Sequence, residues 1–367
     1  MTSPTASKLA VGLALSGGGF RATAFGLGAL RALHDRGVLD QVRVVSGISG
    51  GSLLTAMWAY GPKSFDEFDA SVTDLLRSGL QRELIGRALR PGRLARGLSG
   101  TAGAVLPGRF HRTQASTRTE ALVSAIRAHD FGSKTMTDVT HSGLEAIVSA
   151  TDLASGNAVR FGSMGSACSP YGVIDADVPV ADAVAASAAF PAILPQLTRT
   201  YTFTQQNDQS QHTRTVLMTD GGVYDNLGLS PLLPGRSKKF THHVYDLPYL
   251  IAVDAGAGRT TSQPPDFVFG RMKRTLEIAH TRAQDGTRAR IHESREAGVL
   301  KGHVYAYLGM QDRNLPVPVA DLVTRDRVYN YPTDFKAMSA EDLGAVAGRG
   351  EQLTRVLLSS YCPELGT

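Results

Sequence analysis

Val44-Val45-Ser46-Gly47-Ile48-Ser49-Gly50-Gly51-Ser52, followed at once by Leu53-Leu54-Thr55-Ala56-Met57-Trp58-Ala59-Tyr60, reads as strand, sharp turn and helix. An apolar, β-branched run comes first, a G-x-S-x-G pentapeptide centred on Ser49 follows, and a helical run closes the unit. This is the context of a nucleophile elbow: the turn strains the serine backbone, and Gly47 and Gly51 leave room for the chain to cross itself. The hydroxyl is then exposed at the carboxyl edge of a sheet, near the positive end of the following helix. The same pentapeptide also fits a glycine-rich turn without chemistry, so its neighbours decide between the two.

Upstream, Leu9 to Leu15 reads as a buried strand running into Ser16-Gly17-Gly18-Gly19-Phe20-Arg21-Ala22, and a helix through Phe25, Leu27, Leu30 and Leu33 ends near Gly37. Three consecutive glycines between strand and helix bare a nest of backbone N–H groups that holds a phosphate or a developing oxyanion. Gly17-x-Gly19-x-x-Ala22 fits the loose dinucleotide fingerprint, but that fingerprint wants an acidic residue at the end of the second strand. Here the second strand, Val42 to Val45, ends in Ser46-Gly47 and then Ser49. Arg21, just past the nest, either braces the sheet edge or grips a substrate phosphate with a bidentate fork.

Downstream, Gly61 to about Phe131 shifts in composition: Arg77, Arg82, Arg87, Arg90, Arg93, Arg96, Arg109 and Arg112 alternate with leucines. That stretch is either a lid or interfacial segment or an ordinary solvated face. Glu145-to-Asp152 and Gly156-to-Gly162 read as a strand, a turn and a returning strand. Val180-to-Pro191 reads as a small-residue helix with no assigned chemistry. Thr215-Val216-Leu217-Met218-Thr219 is a strand ending in Asp220-Gly221-Gly222, which places a carboxylate at a strand's C-terminal edge, as an acid partner or a turn cap. Asp225 and Asn226 read as loop-holding residues. Leu250-to-Gly256 is a further buried strand, with Asp254 as a second candidate acid; Phe267-to-Ala297 and Asp334-to-Tyr361 read as helical and Val304-to-Leu308 as a strand.

The chain has 367 residues, of which 42% are hydrophobic and 19% charged, enough to bury a large core and too apolar for disorder. Its formal charge of +5 suits an anionic surface without choosing between phospholipid and nucleic acid, and no aromatic interleaving or known module favours nucleic acid. Cys168 and Cys362 match no metal or redox spacing, as expected in a reducing, intracellular setting. No run of about 18 uninterrupted apolar residues spans a membrane. No calcium-ligand loop is present.

Taken in order, Gly17-Gly18-Gly19-Phe20-Arg21, Gly47-Ile48-Ser49-Gly50-Gly51 and Asp220-Gly221-Gly222 resemble the patatin-like phospholipase family. The Ala150-Thr151-Asp152 turn and the Ala185-to-Pro195 block fit the same pattern. The glycine block and Asp225-Asn226-Leu227 also look like the cytosolic phospholipases of that superfamily. The resemblance implies a three-layer α/β/α fold with a central, mostly parallel sheet and a nucleophile elbow, in one domain over 1–367. The catalytic core would span about 9–255, with an arginine-rich insertion at 61–131 and a C-terminal extension at 256–367 packed on the core. It implies a Ser49–Asp220 dyad and an oxyanion hole from Gly17, Gly18, Gly19 and Gly50; beside them Arg21 stands as the candidate for a substrate phosphate, and no cofactor or metal is expected. The implied substrate is a phospholipid or other ester lipid at a membrane surface, met by a cytoplasmic, peripheral enzyme. Where the family often carries an acidic residue before the glycines, this chain has Ser16. Two rivals stand beside the dyad. One is a Ser49–Asp220–His242 or His243 triad in α/β-hydrolase order, and the other an inactive lipid- or nucleotide-binding module.

Overall fold

The computed structural model describes residues 9–80, 118–191, 194–205, 207–258 and 267–366. The arginine-rich run from Arg82 to Arg112 therefore lies outside the described residues, as do the N-terminal segment 1–8 and Ile193. In chain order the strands are β1 (Val11–Leu15), β2 (Val42–Gly47), β3 (Glu145–Asp152), β4 (Ala158–Gly162), β5 (Ala167–Cys168), β6 (Gly172–Ile174), β7 (Leu197–Thr204), β8 (Gln211–Thr219), β9 (Tyr249–Asp254) and β10 (Gly302–Tyr307). The helices used below are α1 (Gly19–Asp35), α2 (Gly50–Tyr60), α3 (Phe65–Ser78), α4 (Arg118–Ile126), α5 (Val180–Ser187), α6 (Gly222–Asp225), α7 (Val268–Glu296) and α8 (Ala340–Tyr361).

All ten strands join one sheet in the order β10-β9-β1-β2-β3-β4-β5-β6-β7-β8, and β8 returns to pair with β3. The first five run parallel. From β3 onward every pairing is antiparallel, and the return of β8 closes these six strands into a barrel-like ring. The sheet is thus mixed rather than mostly parallel. Parallel neighbours need a long crossover, which α1 supplies between β1 and β2, whereas β3 to β4 and β7 to β8 are joined by short turns that reverse the chain.

Local chemistry explains the element ends. Helix α1 stops in a Schellman arrangement, with Gly37 at φ 66° donating to His34 and Val38 N–H donating to the Leu33 carbonyl at 2.8 Å. Helix α3 starts at Ser64, whose hydroxyl accepts from Glu67 N–H, with Asp66 and Glu67 in the first turn. Its Arg77 donates to the Met338 carbonyl at 2.7 Å. Apolar side chains cover both faces of the parallel strands. Val11, Leu13 and Leu15 pack into a cluster with Phe25, Leu30, Leu54 and Leu353, while Ala14, Val44, Ile147 and Leu250 pack with Leu227, Leu232 and Ile291. Helix α8 lies hard against α1. A Cβ on Gly28 would fall 1.8 Å from the Ala347 carbonyl oxygen, and one on Gly350 would fall 2.1 Å from that of Phe25. Both cysteines are buried free thiols.

Candidate active site

Strands β9, β1 and β2 end level, with Leu15 opposite both Val253 and Gly47, so their loops emerge along one sheet edge. Ser49 occupies the turn between β2 and α2 with φ 51° and ψ −117°, a conformation that costs a non-glycine residue about 1–3 kcal/mol. The surroundings impose it. Ile48 N–H donates to the Leu15 carbonyl at 3.1 Å and Leu53 N–H to the Ser49 carbonyl at 3.1 Å. Ser52 hydroxyl donates to that same carbonyl at 2.6 Å, and Ser49 N–H donates to the Ser187 hydroxyl at 2.9 Å.

Asp220 reaches Ser49 by an unusual use of β3. The first half of one β3 edge pairs with β2, with Gly47 opposite Val148. The same edge then pairs with β8 from the opposite direction, with Thr219 opposite Thr151. The C-terminal ends of β2 and β8 therefore point at each other across Ser149 and Ala150. Gly221 fits there because any Cβ would strike the Ser149 carbonyl, 2.1 Å away. The Asp220 carboxylate, 4% exposed, accepts from Gly222 N–H at 2.7 Å, and the Ser49 hydroxyl is close enough to favour its ionised form. Burial pushes its pKa up to about 6, outweighing the opposite pull of Gly222 N–H and the Ser49 hydroxyl. Its own main chain is fixed by Asp220 N–H donating to the Ala189 carbonyl at 3.0 Å and by Thr151 hydroxyl donating to its carbonyl at 2.9 Å.

The glycine nest opens α1, whose N-terminus meets that of α2. A Cβ on Gly50 would fall 1.9 Å from the Gly19 carbonyl oxygen. Thr23 hydroxyl ties the two helix starts by donating to the Gly50 carbonyl at 2.9 Å. Two helix N-termini thus converge on one spot beside Ser49, a field suited to negative charge. The four glycines are not equivalent. Gly17 N–H donates to the Asn226 carbonyl at 2.9 Å, which withdraws it from the anion-binding set. Among the described residues the N–H groups of Gly18, Gly19 and Gly50 carry no main-chain partner. Arg21 lies over this nest, with Nη2 about 3.6 Å from where a Gly18 Cβ would be. It donates from Nη1 to the Tyr331 carbonyl at 2.9 Å, while its Nε is buried without a partner. Burial lowers its pKa, with Asp254 pulling the other way.

The other sequence candidates are placed elsewhere. Asp254 ends β9 and is fully engaged: Gly256 N–H, Arg288 Nη2 and the Tyr305 hydroxyl all donate to it. His242 and His243 pair with the Met164 and Gly165 carbonyls in the turn between β4 and β5, and burial drives the His243 pKa down to about 3. Asp225 accepts from Leu227 and Ser230 N–H groups, holding its loop. Two contributors to this geometry carry little or no signal in the sequence. The Ser187-to-Ala189 turn touches both Ser49 and Asp220, and Asp334, far down the chain, accepts from Phe20 N–H at 2.8 Å. Small size was the one visible signal in the first, and the second carried none. Among the described residues no group of three or more His, Cys, Asp or Glu could hold a metal. No helix of the described residues is long and apolar enough to cross a membrane.

A strained serine thus stands beside a buried carboxylate and a glycine nest, on a mixed α/β sheet. The family model for patatin-like phospholipase matches residues 13–233, and the chain belongs to that family. Among solved structures, human GIVD cytosolic phospholipase A2 superposes with a TM-score of 0.54 at 15% identity, covering 96% of this chain and 59% of that one. Its complex with methyl gamma-linolenyl fluorophosphonate and terbium chloride gives 0.53 at 15% identity, covering 98% and 59%. VipD from Legionella pneumophila gives 0.44 at 15% identity, covering 98% and 68%. This chain thus spans about six tenths of the human enzyme. No curated protein matches it.

Proposed function

We propose that the chain is a serine lipid acyl hydrolase, of phospholipase A or lysophospholipase type, that works through a Ser49–Asp220 dyad. One observation carries the reading: the strained Ser49 and the buried Asp220 are brought together where the ends of β2 and β8 meet, with the Ser49 hydroxyl favouring the ionised carboxylate. Ser49 Oγ attacks the ester carbonyl carbon and its proton passes to Asp220. The carbonyl oxygen becomes an oxyanion held by the N–H groups of Gly18, Gly19 and Gly50, each worth roughly 3–4 kcal/mol in a dry site. Asp220 returns the proton to the departing alkoxide, leaving an acyl-serine. Water then gives a proton to Asp220 and attacks the acyl carbon; as the bond to Ser49 Oγ breaks, Asp220 returns that proton to Oγ, releasing the fatty acid and restoring both residues. A pKa near 6 suits this exchange, because the base is ionised at neutral pH and still close to the pH at which it gives the proton back.

Arg21, over Gly18 with an unpartnered Nε, is the cation for the lipid phosphate. Family membership supports a lipid substrate; Phe190, next to the Ala189 that holds Asp220 N–H, and Val223, just after Asp220 in the chain, are each exposed by nearly half and support engagement of a membrane surface. No cofactor enters this scheme. The histidine pair plays no part, being occupied in the turn between β4 and β5.

The test is hydrolysis of mixed phospholipid vesicles, with fatty acid and lysolipid read by mass spectrometry. Ser49→Ala and Asp220→Asn are expected to lower turnover by about 10³-fold or more, and a His242→Ala/His243→Ala pair to leave it within a few fold. Equal damage from the histidine pair would replace the dyad by a triad. Vesicle binding without release by wild type would mark an inactive lipid-binding module.

A further inference from the structure

The Ala185-to-Pro195 block has no role in the scheme above, yet its described part runs between both reacting side chains. Ser187 is the last residue of α5 and is fully buried. Its hydroxyl accepts the N–H of Ser49 at 2.9 Å, and its carbonyl accepts the N–H of Gly221 at 3.1 Å. Two residues on, the Ala189 carbonyl accepts both Asp220 N–H at 3.0 Å and the Thr219 hydroxyl at 2.9 Å. Thus one short turn touches the peptide of the serine and the peptides on either side of the carboxylate.

The helix that carries this turn is itself pinned. On α5, Asp182 pairs with Arg199 at 2.6 Å and with Arg127 at 3.2 Å, and Arg199 reaches on to Glu120 of α4 at 2.6 Å. The small residues Ala183, Ala185 and Ala186 are fully buried and let α5 pack closely. Ser187 alone in the turn supplies a side-chain acceptor to Ser49, and this N–H belongs to the one elbow residue held at positive φ.

We infer that Ser187 is a positioning residue: its hydroxyl fixes the Ile48–Ser49 peptide, and its turn holds Ser49 and Asp220 in one frame. The inference rests on the Ser49–Asp220 dyad proposed above. Losing the hydroxyl leaves a buried N–H unpaired and frees the elbow to rotate about the very torsions that aim Ser49 Oγ. Displacements of an ångström at such a centre cost about 100-fold in rate.

The experiment compares Ser187→Thr with Ser187→Val, which share shape and differ in the hydroxyl. The probes are a fluorophosphonate that tags nucleophilic serines, a soluble p-nitrophenyl ester and thermal unfolding. Mass spectrometry first locates the tag in wild type. A tag on Ser49 upholds the dyad's nucleophile, while a tag elsewhere or none sinks that reading and this inference with it. With Ser49 tagged, Ser187→Val is expected to slow tagging and kcat by about 10- to 100-fold at unchanged KM, while Ser187→Thr stays within a few fold of wild type. Equal tagging rates in the two variants would overturn the positioning role, whether both are fast or both are slow. A Val variant whose rate recovers once it is assayed well below its lowered Tm would do the same, by showing a merely structural loss.

Discussion

Asp220 carries a cost that its chemistry explains. Its folded pKa of about 6 lies above the ordinary 3.8, so the folded state holds the proton more tightly than the unfolded chain. The contribution to stability is therefore full below about pH 3.8 and is lost as pH rises through about 6. Asp220→Asn should accordingly unfold at higher temperature than wild type above pH 6, by an amount on the order of 2–3 kcal/mol, and the gain should vanish near pH 4. Thermal melts across that range check it. Catalysis runs the other way, since the base must be ionised: kcat/KM on a soluble ester should rise tenfold per pH unit below about 6 and level above it. Arg21 has a separate signature. Arg21→Gln is expected to lower the rate on a phospholipid about tenfold more than on an uncharged ester, because only the first presents a phosphate to the guanidinium. Much of this was legible in the chain itself, because G-x-S-x-G and D-G-G are local patterns whose backbone demands show in their glycines. Ser187 was not, because its partner is reached only through the packing of α5, and a serine after a run of alanines has no local mark.

At the scale of elements, the strand–glycine–helix units were readable because each carries its own punctuation, such as Gly37 ending α1. The antiparallel ring was not. Its strands β5 and β6 have two and three residues, too few for any period to show. β7 alternates Thr with Leu197, Arg199, Tyr201 and Phe203, and its pairing depends on β8, through cross-strand threonine contacts such as Thr200 with Thr215 at 3.0 Å. The mostly parallel sheet that the resemblance implies therefore holds only for the half from β10 to β3. The α1–α8 crossing was hidden in the same way. The apolar periodicity at Leu343, Val346, Leu353 and Leu357 announced a helix but not its partner. Close approach at that crossing makes Gly28→Ala and Gly350→Ala destabilising through backbone contact, each by about 1–3 kcal/mol. Chemical denaturation of the two variants, with fluorophosphonate tagging before the transition, separates this loss from any effect on the site.

The whole molecule binds its C-terminal third into the nest. Gly19 faces the Asp334 carbonyl, Phe20 N–H donates to it, and Arg21 donates to Tyr331. Buried Arg349 on α8 meanwhile gathers the carbonyls of Leu308, Met310 and Val323 and pairs with Asp312 at 2.9 Å. A chain cut after Ala255 should therefore lose soluble, taggable protein, although every residue of the proposed chemistry is still present; expression, size-exclusion chromatography and Ser49 tagging read that directly. Survival of tagging would show that the first 255 residues hold the nest unaided. Finally, β3 acts as a ruler. The ends of β2 and β8, which carry Ser49 and Asp220, approach along one edge of it from opposite directions, and the interval between them is set by Ser149 and Ala150. One residue inserted there would push the base about 3.3 Å away and turn its side of the pleat over. A change of length in a loop away from this strand leaves that interval as it is, whereas any change in the two-residue gap resets where Asp220 stands relative to Ser49.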